Sequence, residues 1–342
     1  MNSLYHPVLF EKELAISKPK NITHFGRKLV VWKGNNNKEV NCVLDKCSHR
    51  GAKLSGGIVI DDDIECPYHG WIFDSQGKCK HIPQSQYPNH IPQACHIRET
   101  YKTFVDDGII WIGNDASTIN IPEHGEWLDN ADCFVTDYPF DVDYNYFYAI
   151  ENLLDPAHLH FIHDSFQGNK AYASAIAPMD LVVSDTEISA RFVHANENVP
   201  QIVIRFLIPS IVDVSILNKD GETVRKNIIH VTPTADNSCK ILFRDVAVKK
   251  YFAPKDNTFL TEHVNFIMDK LAKTFIEEHY QIMNKSVVSA IMQQDIDVIT
   301  GQQENVPDYF SSKYVMPTES DRLIVEFRKW AFRNHIKSHN ST

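Results

Sequence analysis

The sequence predicts an α+β protein of two domains: an all-β module over residues 1–115, then an antiparallel sheet with helices over 116–342. Three observations lead there. Short β-branched and aromatic runs separated by Gly, Asp and Asn fill residues 22–112. A polar, proline-containing connector, DASTINIPEHGEWLDN, follows at 115–130. Beyond it, helical periodicity brackets a block of alternating strand patterns.

In the module, KLVVWKG, VNCVLDK, IVIDDDIECPY, GWIFDSQGKC and DGIIWIG read as strands, with hairpin turns at DSQGKC and DDG. In the second domain YNYFYAIENLL and its continuation read as helix. EISARFVHA, QIVIRFLI and KILFRDVAV alternate within 180–250. Helical spacing returns over 258–300, and DRLIVEFRKWAFRNH reads as a C-terminal helix. No repeat or low-complexity tract interrupts this order.

The 342 residues are 43% hydrophobic and 23% charged, the balance of a soluble globular chain. A net charge of −10 argues against a nucleic-acid binder, which needs a basic face. No run reaches the ~20 apolar residues that span a bilayer; IVIRFLIPSIVDVSIL is broken by Arg205, Pro209 and Asp213. The N-terminus lacks a basic stretch followed by an apolar core, so no secretory signal is expected and a cytoplasmic location is. Seven cysteines, an odd count, read as reduced thiols, and five of them precede residue 100.

Four of the candidate ligands share one spacing. KCSHRGAKLSGG and ECPYHGW give Cys47-x-His49, sixteen residues, then Cys66-x2-His69, with glycines beside both pairs. Two thiols and two imidazoles suit tetrahedral zinc or a [2Fe–2S] cluster. Zinc modules pair Cys with Cys and His with His. Here each half supplies one of each, which suits a binuclear cluster with cysteines on one iron and histidines on the other. Cys42 and Cys79 match no ligand position and read as small core residues.

A second cluster, DPAHLHFIH, runs from 155 to 163. His158 and His163 are five apart, about 500° on a helix, so their side chains diverge by about 140° unless the helix ends or bulges between them. His158 and His160 would share a face on a strand instead, so spacing does not choose the pair. Asp155 before Pro156 reads as a helix N-cap. Further on, KSVVSAIMQQDIDVITGQQ carries an apolar stripe of Val288, Ile291, Met292, Val298 and Ile299, whose missing member is position 295. Asp295 should therefore face inward, where an unpaired carboxylate is costly and asks for a cation. Asp297 should face water.

CSHRG followed by CPYHGW resembles the ligand loops of Rieske proteins. ENLLDPAHLHFIH is similar to the mononuclear-iron motif of Rieske non-haem iron oxygenases, Glu-Asn-x2-Asp-x2-His-x4-His, and matches it at Asn152, Asp155, His158 and His163. The resemblance implies a Rieske domain joined to a helix-grip (START-like) catalytic domain. It implies a [2Fe–2S] cluster on Cys47, His49, Cys66 and His69, and mononuclear Fe(II) on His158, His163 and Asp295. The pair Gln294-Asp295 fits the late-helix position of the family's carboxylate. His160 is left with packing or hydrogen bonding.

Asn152 and Asp155 fall among the family's catalytic positions, and Asp155 would orient His158 and link it to a Rieske histidine of a neighbouring chain. The resemblance further implies a head-to-tail homotrimer, or a multiple of it, with electrons passing from the cluster through His69 to the neighbour's Asp155 and His158. His49 and His69 should be exposed enough to meet a donor. No GxGxxG fingerprint is present, so a ferredoxin or flavin reductase should deliver the electrons.

The motif QQDIDVITGQQ and the tail PTESDRLIVEFRKW look most like the monooxygenase branch, which includes vanillate and dicamba demethylases, pheophorbide a and chlorophyllide a oxygenases and saxitoxin-pathway hydroxylases. That implies monooxygenation of a small organic molecule, by hydroxylation or oxidative demethylation. The alternatives are a cis-dihydroxylating dioxygenase and a non-catalytic electron-transfer or redox-sensing Rieske protein. The pocket walls should come from the sheet at 200–250 and the helix before Asp155. Asn145, Tyr148 and Phe161 are candidates for the wall, though aromatics there are as readily core.

Overall fold

Alternation in the first third builds two sheets whose side chains feed two cores. The structure, a computed structural model, describes residues 4–86, 90–114, 125–163, 177–194, 200–252, 265–311 and 313–339. Its contacts define two units: Met1–Pro122 with Val231–Leu242, and Glu123–His230 with Phe243–Thr342. The boundary expected at residue 115/116 lies outside the described residues.

The first unit holds strands β1 (His6–Phe10), β2 (Lys20–His24), β3 (Arg27–Lys33), β4 (Val40–Leu44), β9 (Thr100–Asp106) and β10 (Ile109–Gly113) in a six-stranded sheet ordered β1-β10-β9-β4-β3-β2. Strands β5 (Ile58–Ile60), β6 (Asp63–Glu65), β7 (Ile72–Phe73) and β8 (Cys79–His81) form a second, consecutive sheet. Strand β3 shows how a continuous apolar run is used. Val30 and Trp32 enter one core with Val43, Cys79 and Phe73, while Leu29 and Val31 enter another with Cys42 and Ile112. A period of two sends successive residues to opposite faces, and both faces are covered.

Both expected turns form. Asp107 (φ 48°) and Gly108 (φ 69°) make a two-residue left-handed turn between β9 and β10, the geometry that matches strand twist. In DSQGKC the Asp74 carboxylate accepts from the backbone of Gln76 and Lys78, both at 2.9 Å. Cys42 and Cys79 are buried, and burial pushes the Cys79 thiol up to about 11.

The second unit carries a seven-stranded antiparallel sheet ordered β11-β17-β16-β15-β14-β13-β12. Its strands are β11 (Cys133–Val142), β12 (Ala177–Val183), β13 (Glu187–Val193), β14 (Gln201–Leu207), β15 (Ile211–Leu217), β16 (Thr223–Ala235) and β17 (Ser238–Val248). The tip of the β16–β17 hairpin, residues 231–242, groups with the first unit, where Gly26 N–H donates to Thr234 O at 2.7 Å. Short helices α1 (Gly125–Leu128) and α4 (Lys249–Phe252) flank the sheet strands, and α2 (Tyr146–Leu153), α3 (Leu159–Ile162), α5 (Asn265–Asn305) and α6 (Arg322–His339) complete the unit. No described helix is long and apolar enough to cross a membrane.

Helix α6 buries Leu323, Phe327 and Ala331, and its Phe327 ring stands 5.1 Å from Phe206 of β14. A buried ion pair, Arg328 Nη1 to Glu151 Oε1 at 2.7 Å, ties α6 to α2. Arg328 lies over the rings of Tyr309 and Tyr314, 4.7 and 4.5 Å from their centroids. Burial raises the Glu151 carboxyl despite that arginine.

Candidate functional site

Two loops in the first unit are closed in the same way. Gly51 N–H donates to Cys47 O (2.9 Å), and Cys47 N–H donates to Ala52 O (2.8 Å). In the partner loop Gly70 N–H donates to Cys66 O (3.0 Å), and Cys66 N–H donates to Trp71 O (2.8 Å). Each turn needs a left-handed residue four positions after its cysteine, and Gly51 (φ 75°) and Gly70 (φ 72°) supply it.

The loops place two buried thiols together, with Cys66 close enough to hydrogen-bond Cys47. The His49 and His69 rings lie 4.7 Å apart between centroids. Desolvation, followed by the nearby Cys66, pushes the Cys47 thiol up to about 11 against opposing backbone hydrogen bonds. Such a thiol is inert alone, but a bound cation reverses that balance. His69 is held below the ordinary imidazole range by desolvation and by His49 and Arg50, which suits a neutral ligand. The four donors thus fit a two-Cys, two-His cluster. His49 is exposed and His69 half-exposed. Trp71 stacks flat on His49, 1° from parallel at 4.6 Å, and Tyr68, 56% exposed, covers His69.

In the second unit the expected long helix stops early. Asn145 caps α2 by accepting from Phe147 N–H at 2.9 Å. The helix ends at Leu153 because Pro156 has no N–H and disfavours helical backbone at Asp155. Asp155 does not cap the next helix, as the Asp-Pro pattern suggested. Its Oδ1 accepts from Ala157 N–H at 2.8 Å and shapes a turn, and His158 occupies the cap position. Helix α3 is a single turn, and His163 leaves helical geometry at φ −106°, ψ 28°. That termination brings the two histidines together, with ring centroids 5.2 Å apart.

Asp295 arrives from α5. The buried positions there are Asn284, Val288, Met292, Asp295 and Ile299, spaced by three and four. Val298 departs from the expected stripe and is 49% exposed. Asp297 faces solvent and accepts from Gln293 Nε2 at 2.8 Å. Asp295 Oδ1 approaches His163 Nε2 at 3.2 Å and His158 Nε2 at 3.7 Å. Ligand atoms of the three residues fall within 4.8 Å of one another.

The donor set fits a metal. Asp295 Oδ1 is buried yet makes no well-directed hydrogen bond among the described residues. Lone pairs converging on a common centre in place of each other's protons mark a cation site, and two histidines with one carboxylate are the donors of non-haem Fe(II). Burial draws the His163 imidazole down, but the nearby Asp295 carboxylate and the Gln294 oxygen outweigh it and the net shift is upward.

Gln294 and Asp155 stand next to this set, and only the first is within hydrogen-bonding distance of it. Gln294 Oε1 lies 2.8 Å from His163 Nδ1, which fixes the Nδ1–H tautomer and leaves Nε2 toward Asp295. Asp155 Oδ2 stands 3.8 Å from His158 Nδ1, beside it but beyond hydrogen-bonding distance. His160 turns away to the His194 ring at 6.3 Å.

The three residues form one end of a cavity of about 100 Å³, with Asn152 and Asp155 on the adjoining wall. Ile202, Ile204, Val214, Ile216, Ile229 and Phe243 from the sheet also line it, with Ile291 and Met292 of α5. The three wall candidates lie elsewhere. Asn145 is a helix cap, Tyr148 is core with its hydroxyl on Val306 O, and Phe161 is 56% exposed. Gln294, Asn227 and Arg328 gain their parts from contacts more than 60 positions away along the chain or across strands, which local spacing does not reveal.

Comparison with known proteins agrees with this architecture. Residues 5–96 match the Rieske [2Fe-2S] domain, which carries such a cluster, and residues 142–333 match the vanillate O-demethylase oxygenase C-terminal domain. The chain is 25% identical to the chloroplastic protein TIC 55 of Pisum sativum over 95% of its own length and 57% of that protein. It is 25% identical to pheophorbide a oxygenase of Arabidopsis thaliana over 98% of its length and 64% of that protein. Against the 3-ketosteroid-9-alpha-monooxygenase oxygenase component of Rhodococcus rhodochrous the identity is 32% over 47% of this chain and 41% of the relative.

The chain thus spans less than two thirds of the length of these curated relatives. Its fold matches dicamba monooxygenase bound to dicamba with a TM-score of 0.76 at 20% identity, covering 99% and 98% of the two chains. A variant of NdmA from Pseudomonas putida with caffeine gives 0.75 at 22% identity, covering 100% and 92%. Because the C-terminal match takes in more than half of the sequence and a Rieske domain precedes it, the chain belongs to the Rieske non-haem iron oxygenases of the vanillate O-demethylase type.

Proposed function

We propose that the chain is the terminal oxygenase component of a Rieske system, carrying out O2-dependent monooxygenation of a small organic substrate by hydroxylation or oxidative demethylation. The carrying observation is the cluster of half-buried His158 with buried His163 and Asp295 at one end of an apolar cavity. Fe(II) held by these residues supplies O2 activation. The protein contributes the rest. Aliphatic walls exclude water, Gln294 holds His163 in one tautomer, and Asn152 presents an amide beside the site. Residues 1–115 serve as the Rieske domain, holding its cluster on Cys47, His49, Cys66 and His69, and 116–342 as the catalytic domain.

Electrons enter at the exposed His49–His69 edge from a ferredoxin or flavin reductase and pass to the Asp155 and His158 of a neighbouring chain in a homotrimer. The partly exposed Asp155 side chain, 31% accessible beside His158, supports that route. Free thiols throughout the described chain suit a reducing compartment, the cytoplasm.

The test is product analysis under labelled O2 with metal counting. One labelled oxygen in the product, and one iron beyond the two of the cluster, are expected. Two labelled atoms would indicate cis-dihydroxylation. His163→Ala should keep the cluster spectrum and lose substrate-dependent O2 uptake; full uptake in that variant would remove the oxygenase reading. Light scattering checks the trimer.

A further inference from the structure

The cavity's polarity bears on what it accepts. Away from the metal-binding end, among the described lining residues, Asn227 on β16 is the one polar side chain. Its amide is not free to turn. Nδ2 donates to Asp245 Oδ1 at 2.7 Å. Asp245, fully buried, also accepts from Arg225 Nε at 2.5 Å, from Asn284 Nδ2 at 2.8 Å and from Tyr280 Oη at 3.2 Å. Arg225 Nη2 in turn donates to Asn284 Oδ1 at 2.9 Å.

Four donors on one carboxylate leave it no spare capacity and require the Asn227 amide nitrogen, not its oxygen, to face it. Oδ1 of Asn227 is therefore the acceptor that the amide offers on the cavity side. Arg225 is bonded to Asp245 and Asn284, and turning it toward an anionic substrate would strand the buried Asp245 carboxylate.

We propose that the pocket selects a neutral, largely apolar small molecule that donates a hydrogen bond, from a hydroxyl or N–H group, to Asn227 Oδ1. The inference rests on the oxygenase reading above for the identity of this cavity as the substrate pocket. Carboxylates are disfavoured at the Asn227 end, because an anion there would meet the Asn227 oxygen and aliphatic walls with no cationic side chain among the described lining residues. A molecule lacking the donor leaves Oδ1 buried and unpaired when bound.

The probes are phenol, anisole and benzoate, titrated into the intact protein carrying its cluster and Fe(II), without O2, and followed by calorimetry. Phenol should bind about tenfold tighter than either of the others. Asn227→Leu should erase the preference for phenol over anisole. Asn227→Ser, which is smaller and less disruptive to Asp245, should shrink it. Benzoate binding as tightly as phenol, equal affinities for all three, or no binding by any would overturn the proposal. So would a ratio unchanged in folded variants, with thermal melting and the cluster spectrum as the folding check. Phenol preference without any stimulated O2 uptake by phenol-type compounds would instead count against the oxygenase reading alone.

Discussion

Replacing Gln294 by leucine removes the one hydrogen bond that holds the His163 ring from behind. Gln294 Oε1 sits 2.8 Å from Nδ1, and His163 is only 1% exposed, so no water can take the lost place. A buried N–H left unpaired costs about 1–3 kcal/mol. The alternative is a switch to the other tautomer, which points a proton from Nε2 at Asp295 and blocks that nitrogen as a ligand. At about 1.4 kcal/mol per factor of ten, either outcome weakens metal binding by about 10- to 100-fold, the range known for residues that orient metal-binding histidines. Anaerobic competition for Fe(II) with a chromophoric chelator measures this directly. Gln294→Glu keeps an acceptor and should stay within about threefold of the wild type or bind tighter. Asp297→Asn, on the exposed side of the same helix, should change nothing. Far-ultraviolet circular dichroism and thermal melting report folding in every variant. A Gln294→Leu protein with affinity within about twofold of the wild type would mean that the Gln294 contact does not hold His163 ready for the metal.

Three further outcomes follow from the same geometry. The His163 imidazole is raised in the folded, metal-free protein, so its contribution to stability is complete below the unfolded value of about 6.5 and fades as pH climbs through the raised one. Iron-free protein should therefore melt at progressively lower temperature as pH rises through neutrality, and Asp295→Asn should flatten that slope; a melting temperature that climbs with pH contradicts it. Arg328→Met leaves Glu151 buried without its cation, a loss of about 3–5 kcal/mol and about 10 °C in melting temperature, part of which Glu151→Gln on the same chain should restore. Gly70→Ala should lose more cluster absorbance than Gly51→Ala, since both positions are left-handed but a Cβ at Gly70 also meets Pro83 Cγ at 3.2 Å, against 3.5 Å to the flexible Lys46 Cε for Gly51.

What could be read in the sequence depended on range. The turn at Asp107–Gly108 and the inward aspartate of α5 each follow from a local pattern, and both appear in the structure. The pairing of His158 with His163 did not follow from spacing. It required α3 to stop after one turn, and that stop is visible only in the φ and ψ of His163. The Asp155-Pro156 pattern misled about the cap because a proline can shape a turn as well as open a helix. Asn227 carried no signal, since its role arises from a carboxylate eighteen positions away on the next strand. The grouping of residues 231–242 with the first unit was equally hidden, because those residues continue strands of the second.

The approach of His163 to Asp295 also has a meaning for chain connectivity. Their contact at 3.2 Å joins points far apart along the polypeptide, one after α3 and the other late in α5. An ion gripping both ends would fasten a loop of more than a hundred residues, and fixing a loop of that size removes about 4–5 kcal/mol of disorder from the unfolded chain in a simple polymer picture. Iron would then work as a non-covalent crosslink as well as a reagent. Its removal would leave α3 and α5 joined there by ordinary packing alone, and the metal-free protein should melt at a lower temperature than the loaded one.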